Sequence, residues 1–307
     1  MKTFLKKHKR YDEEKITIKT FTTPLLFLAP FLVGVIIFTI YPFFNVLFIS
    51  FKENYKVLTQ EYSALGFANY AKILGDPTFI SSLKNTGLYT LAVVPISLVF
   101  STIIACLLNS KIKFKGFFQT VFFLPMVTSI TAVGLAWKWL FNYDYGIINY
   151  LITLFGAKGI NWLNDPKYAL TSLIIYGIWS MIPFTIILIL AGLQNINTQY
   201  YIAAKVDGAK PMDIFFRITL PLLAPTIGLV TIINTISASK VFQELFPLFG
   251  GQPGPAYSLY TVIYYIYDTF YIKWKLGNAA ASAMILFIIV LIFTSIQLYI
   301  QRNWKNY

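Results

Sequence analysis

Acids, cysteine and histidine are all scarce in this chain of 307 residues. The single cysteine, Cys106, lies inside an apolar run, and the single histidine, His8, lies in a charged N-terminal arm. Disulfide frameworks, zinc sites and histidine-based catalytic triads are excluded by counting alone. No G-x-x-x-x-G-K-[ST] stretch occurs, so the chain cannot bind ATP in the phosphate-loop manner. Charged residues make up only 12% of the whole, against roughly 25% in a soluble domain. Water is therefore not the main solvent of this chain.

What is present is apolar. Hydrophobic residues reach 57% and the mean hydropathy is +0.65. A bilayer core about 30 Å thick needs roughly 20 apolar residues per helix. Runs of that length occur at about Pro24–Ile49, Thr86–Leu108, Phe117–Leu140, Ala169–Leu193, Leu220–Phe246 and Gly277–Ile300. The first is far longer than the 7–15-residue core of a secretory signal and lacks a small-residue cleavage site, which reads as a retained helix. Pro30, Pro42, Pro95, Pro125, Pro183 and Pro225 fall inside or at the ends of these runs. Membrane helices tolerate them where neighbours re-satisfy the freed carbonyls. The expected fold is an all-α polytopic membrane protein of about six transmembrane helices with kinked spans. A cytoplasmic arm (1–21), one membrane domain (22–301) and a short cytoplasmic tail (302–307) divide the chain.

The net charge of +13 would make nucleic acid a candidate partner of a soluble protein. Here the basic residues sit mainly in short flanks between apolar runs, where they act as topology signals, and membrane lipid is the expected partner rather than nucleic acid. With the N-terminus inside, fifteen Lys and Arg fall on the cytoplasmic side and nine on the other, which places both termini in the cytoplasm of a multi-pass cell-membrane protein. Tyr41, Trp137, Trp139, Tyr143, Tyr145, Trp162, Trp274 and Trp304 cluster near the predicted interfaces, where amphipathic rings anchor. The outer loop after the fifth run carries Gly250, Gly251, Pro253, Gly254 and Pro255, which mark either an external cap or a plain surface turn.

Two regions carry functional signals. The interior loop from Gln194 to Pro225 reads as two short helices: Thr198–Val206 with Thr198 as N-cap, an Asp207–Gly208 turn, and a second helix opened by Pro211. Ile214, Phe215 and Ile218 fall on one side of the second helix. Such a pair serves either as a docking element or as a simple connector. In the fifth run, Asn234, Ser237, Lys240 and Glu244 recur at three- and four-residue spacing, which aligns them on one side of a helix. Ionisable groups in a span face protein or a water-filled cavity. Lys240 and Glu244, one turn apart, either pair or join a polar stripe suited to sugar hydroxyls. Trp179 and Tyr176 on the fourth run serve as packing or as stacking surfaces, and Thr128, Ser129 and Thr131 on the third are weaker polar candidates.

Ala203-Ala204, Asp207-Gly208-Ala209 and Ile218-Thr219-Leu220-Pro221 resemble the cytoplasmic-loop signature of permease subunits of binding-protein-dependent ABC importers. The segments GGQPGP and YTVIYYIYDTFYIKWKLGNAAASAMILF resemble the carbohydrate branch, including maltose-type and glycerol-phosphate-type permeases. The resemblance runs from about Thr22 to the C-terminus. It implies a pore-forming permease subunit that moves a sugar or oligosaccharide delivered by an extracytoplasmic binding protein. It implies as partners a second permease subunit and two cytoplasmic ATPase subunits, with ATP and Mg²⁺ on the ATPase, no cofactor or metal on this chain, and no enzymatic activity of its own. The loop 194–219 would hold the coupling helix between spans four and five, with Ala203, Ala204, Asp207, Gly208 and Ala209 as ATPase contact and turn residues. Ser237 and Lys240 would line the substrate path, with Asn234, Glu244 and Trp179 as further candidates. Ile202 stands where the family usually has Glu before the two alanines.

A self-contained secondary transporter would need coupling carboxylates in its spans, and Glu244 is the one acid placed within a run; no inverted repeat is visible. A membrane enzyme would need a clustered catalytic set, whereas Asp144, Asp165 and Asp268 are isolated in outer loops.

Overall fold

The computed structural model describes residues 18–304 except Lys111. The arm 1–17 with His8, and the last three residues with Lys305, lie outside the described residues. The first crossing joins α1 (Ile18–Val35) through a π-type turn (Ile36–Ile40) to α2 (Tyr41–Phe51). Pro42 has no N–H for the carbonyl four residues back, and the ladder shifts register there, with the Tyr41 N–H donating to Ile36 O. A two-residue ribbon, β1 (Lys52–Glu53) antiparallel to β2 (Ala64–Leu65), and α3 (Ala68–Leu74) lead to α4 (Pro77–Asn109). Asp76 caps α4 by accepting from Thr78 N at 2.9 Å. Next come α5 (Lys115–Val127), α6 (Ile130–Leu140), α7 (Ile147–Leu154) and α8 (Pro166–Gln194), the last capped by Asp165. Then follow α9 (Thr198–Val206), α10 (Pro211–Ile214), a π-type turn (Phe215–Thr219) and α11 (Leu220–Ala238). The chain ends with α12 (Leu245–Phe249), α13 (Val262–Tyr267), a further π-type turn (Asp268–Ile272) and α14 (Leu276–Trp304).

Among the described residues five helical stretches are long and apolar enough to cross a membrane, and the bent pair α5–α6 makes a sixth if its two arms are taken as one span. That pair corrects the third expected span. The chain turns by 104° at Thr128–Ser129, both in extended conformation. Thirteen residues of α5 rise only roughly 20 Å at 1.5 Å each, short of a full crossing. The fifth expected span is also corrected, because α11 stops at Ala238 and the chain turns through Ser239 and Lys240. The sixth apolar stretch runs from Leu276 to Arg302, and its helix continues to Trp304.

The largest helix contact is between α4 and α8, and small residues permit it. Gly177 of α8 lies beneath the Tyr89 hydroxyl of α4, and at the α8–α11 contact a Cβ at Gly192 would come within 2.6 Å of Thr226 Oγ1. One core cluster, around Phe79, Leu173, Tyr176, Leu245 and Leu259, sits at the end of the bundle carrying the long connections. A second, around Ala105, Ile186, Ile189, Leu223 and Val230, lies toward the other end.

The long connections are folded, which corrects the reading of Trp162 as a lipid-interface anchor. Its ring is 7% exposed and its Nε1–H donates to Asn149 Oδ1 at 3.0 Å. Asn149 also accepts from Ile160 N and donates to Tyr143 O and Ile160 O, so one carboxamide holds the loop 142–165 closed. Trp137 likewise packs inward, against Phe141, Tyr176 and Trp179, whereas Trp139 and Trp274 remain exposed. The Gly- and Pro-bearing segment is not a plain surface turn: Leu259, Tyr260, Thr261 and Val262 are buried. It is tied to α4 by Asn85, which donates to Ser258 O and Tyr260 O, by Thr86 Oγ1, which accepts from Val262 N, and by the Tyr265 hydroxyl, which donates to Asp76 at 2.6 Å. At the first ribbon, Lys52 Nζ is enclosed by the rings of Phe48, Tyr55 and Tyr62, 4.8–5.1 Å from their centroids.

Candidate functional sites: the α9–α10 loop and the α6–α8–α11 region

At the end with the short connections, α9 spans Thr198–Val206, as the spacing predicts. Its cap is Asn197, not Thr198: the Asn197 carboxamide accepts from Gln199 N at 2.9 Å. The helix ends in a Schellman motif. The Gly208 N–H donates to Lys205 O and the Ala209 N–H to Ala204 O, with Gly208 at φ +73°. This explains the Asp-Gly-Ala sequence, since the left-handed position costs a side chain strain that Gly avoids. Thr219 Oγ1 lies 3.3 Å from the Tyr201 hydroxyl and from Ile214 O, fixing α10 against α9. Ile214, Phe215 and Ile218 turn partly inward, and Asp213 pairs with exposed Arg217 at 3.8 Å.

Of the expected contact residues, Ala203, Asp207 and Gly208 are exposed and Ala209 is half-buried. Ala204 is 7% exposed, and its carbonyl accepts from Ala209 N in the turn. Sequence reading missed a set of apolar side chains in the open: Ile202 and Val206 one turn apart on α9, and Met212 and Phe216 one turn apart across α10, each more than half exposed.

The expected polar stripe does not form one face. Asn234 is 1% exposed and donates to Thr185 Oγ1 of α8 at 2.9 Å, so it locks two helices together. Ser237 and Lys240 are exposed, and Lys240 edges an apolar groove with Ile236, Ile263 and Ile266. Glu244 lies beyond the helix end, immediately before α12, where its carboxylate accepts from Phe242 N at 3.0 Å. No Lys240–Glu244 pair occurs among the described residues, because the i, i+4 geometry ended at Ala238.

Trp179 lines a cavity of about 310 Å³ in the elbow of α5 and α6, with Pro125, Thr128, Val133, Ala136 and Trp137. Trp137 and Trp179 meet edge to face at 5.5 Å. A second missed feature is a tyrosine ribbon. Tyr257, Tyr260, Tyr264, Tyr267 and Tyr271 follow one another at three- and four-residue steps, each ring 5.2–6.0 Å from the next. The spacing was present in the sequence as a helical period. Burial and the nearby Asp268 carboxylate push the Tyr260 phenol well above its usual value, and Asp268 is bridged by Lys273 at 2.7 Å.

Residues 97–306 match the family described as "Binding-protein-dependent transport system inner membrane component". A lactose transport system permease protein of Rhizobium radiobacter is 33% identical over 91% of this chain and 94% of its own length. A trehalose/maltose transport system permease protein of Thermococcus litoralis is 30% identical over 90% of this chain and 92% of its own. In fold, the chain is similar to a bacterial alginate ABC transporter solved with an alginate pentasaccharide-bound periplasmic protein. The TM-score is 0.79 at 24% identity, covering 93% of this chain and 96% of that one. The chain belongs to the family of inner membrane components of binding-protein-dependent transport systems.

Proposed function

We propose that this chain is one pore-forming half of an ATP-driven importer that takes a sugar or oligosaccharide from an external binding protein. The proposal includes a second permease subunit, two cytoplasmic ATPase subunits that carry ATP and Mg²⁺, and cytoplasmic termini. The observation that carries it is the α9–α10 loop, an ordered helix pair stopped by the turn at Gly208 and leaving Ile202 and Val206 of α9 uncovered by this chain, ahead of the span that begins at Pro211. A connector has no use for an apolar pair left uncovered on a short helix, whereas a docking knob does. Ile202 replaces the acid usual at this position, and the ATPase groove is met here by apolar packing. Similarity to permeases named for lactose and for trehalose/maltose supports a carbohydrate cargo. Ser237, Lys240 and the elbow beside Trp179 are the proposed path-lining positions. Asn234 serves this path by fixing α11 on α8.

The test is uptake of labelled lactose, maltose and trehalose by right-side-out vesicles containing the complete importer, with wild-type chain and with Gly208→Trp. A Cβ at Gly208 meets nothing within 4 Å, but at φ +73° any side chain strains the turn, so Gly208→Ala, with the same strain and little bulk, is the control that should keep most of the uptake. Energised uptake by wild type and its loss in Gly208→Trp, with the chain still in the membrane, are expected. Normal uptake in Gly208→Trp overturns the coupling assignment.

A further inference from the structure

A pocket of about 410 Å³ opens at the long-connection end, between the C-terminus of α6, the loop 142–165 and the turn after α12. Its lining mixes charged, amide and aromatic groups. Lys138 and Asp144 bring one charge of each sign, and neither is in an ion pair among the described residues. Asn161, Asn164 and Gln252 add three exposed carboxamides. Among the described residues these three side chains are unspent, in contrast to Asn149 and to Asn142, whose Oδ1 accepts from Asp144 N and Tyr145 N. Phe249 supplies an aromatic wall, and Gly254, at φ +73°, leaves the rim free of a side chain. The loop that forms one wall is tied within itself by the Asn149 bonds to Tyr143 and Ile160.

We infer that this pocket is a carbohydrate subsite at the mouth of the path, separate from the positions on α11 and α8. The inference rests on the sugar-import reading. Carboxamides donate and accept at once, as sugar hydroxyls do, and the two charges cancel, which selects a neutral hydroxylated ligand over an ion. The volume falls in the range of small-ligand sites, and the aromatic ring offers a surface for the C–H face of a sugar ring. The wall formed by α6 is shared: Lys138 and Phe141 face this pocket while Val133, Ala136 and Trp137 line the elbow cavity beside Trp179. The two spaces are lined by neighbouring residues of one helix, Trp137 and Lys138.

The experiment uses right-side-out vesicles with the complete importer, Cys106→Ser in this chain, and single cysteines at Asn164→Cys or Gln252→Cys. The rate of modification by a charged thiosulfonate is followed with lactose, maltose or trehalose, with no binding protein added. A sugar that wild-type vesicles take up should slow both cysteines by at least about fivefold at saturation, as occupancy requires. Equal rates with and without such a sugar overturn the subsite while leaving import intact. Slowing by sugar-free binding protein alone assigns the pocket to protein docking and also overturns it, as does a cysteine inert without sugar. Uptake of none of the three sugars by wild type overturns the carbohydrate reading and this inference with it.

Discussion

At the scale of single residues, carboxamides decide more of this structure than charges do. Asn149→Ala would strip the acceptor from Ile160 N and from the buried Trp162 indole, at a cost of roughly 1–3 kcal/mol for each group left unpaired. Denaturant unfolding in detergent, followed by tryptophan emission, should show the loss, and Asn149→Asp should not rescue it, because the carboxylate keeps the acceptor but sets a buried oxygen against the Tyr143 and Ile160 carbonyls that Asn149 donates to. Asp76 gives a pH prediction. Burial alone would raise its pKa, but hydrogen bonds from the Tyr265 hydroxyl and the Thr78 N–H outweigh this and hold the carboxyl below its usual value. A depressed folded-state pKa contributes stability above the ordinary carboxylate range, and that contribution is lost as pH falls through the lower folded value. Amide exchange at the first turn of α4 should therefore accelerate only in strong acid, and Tyr265→Phe should move the onset upward. None of these partners could be read from sequence: Asp76 and Tyr265 are 189 residues apart.

At the scale of elements, the sequence was legible where apolar length and packing agree, and misleading where the backbone changes direction inside an apolar run. The α4 and α8 stretches, and α9 to within its cap, follow from hydropathy and turn chemistry. Thr128–Ser129 and Ser239–Lys240 interrupt apolar runs with so few polar atoms that a hydropathy sum passes over them. The alignment of Asn234 with Glu244 failed for this reason, since spacing implies a common face only while the helix persists. The corrected geometry predicts different reactivities along α11. Cysteines at Ser237 and Lys240 should react with water-soluble thiol reagents in a nucleotide-dependent way, while one at Asn234 stays protected by α8. Inertness at both exposed positions in every nucleotide state would remove them from the path. Helix packing offers a further check: Gly177→Ala places a methyl group against the buried Tyr89 ring and should destabilise the α4–α8 pair by about 1–3 kcal/mol, read as a lower unfolding midpoint.

On the scale of the whole molecule, the two ends of the bundle are built differently. One carries a compact layer of tied-down connections and the other a single exposed knob, which fits a chain that meets cargo at one face and force at the other. The break between α5 and α6 has a consequence for what surrounds it. A helix end leaves its first N–H groups and last carbonyls without partners inside the helix. Ser129 makes no side-chain cap to α6, and neither Ile130, Thr131 nor Ala132 donates a backbone bond to another described residue. Hydrocarbon cannot satisfy such groups, and lipid-facing broken backbone is not tolerated at membrane depth. Thr128 Oγ1 donates to Pro125 O at the end of α5, and the remaining ends of the elbow call for water, a passing solute or the second permease subunit. The amides of Ile130–Ala132 should then exchange with deuterated solvent far faster than those of α4 or α8, a solvent inlet written into the backbone itself.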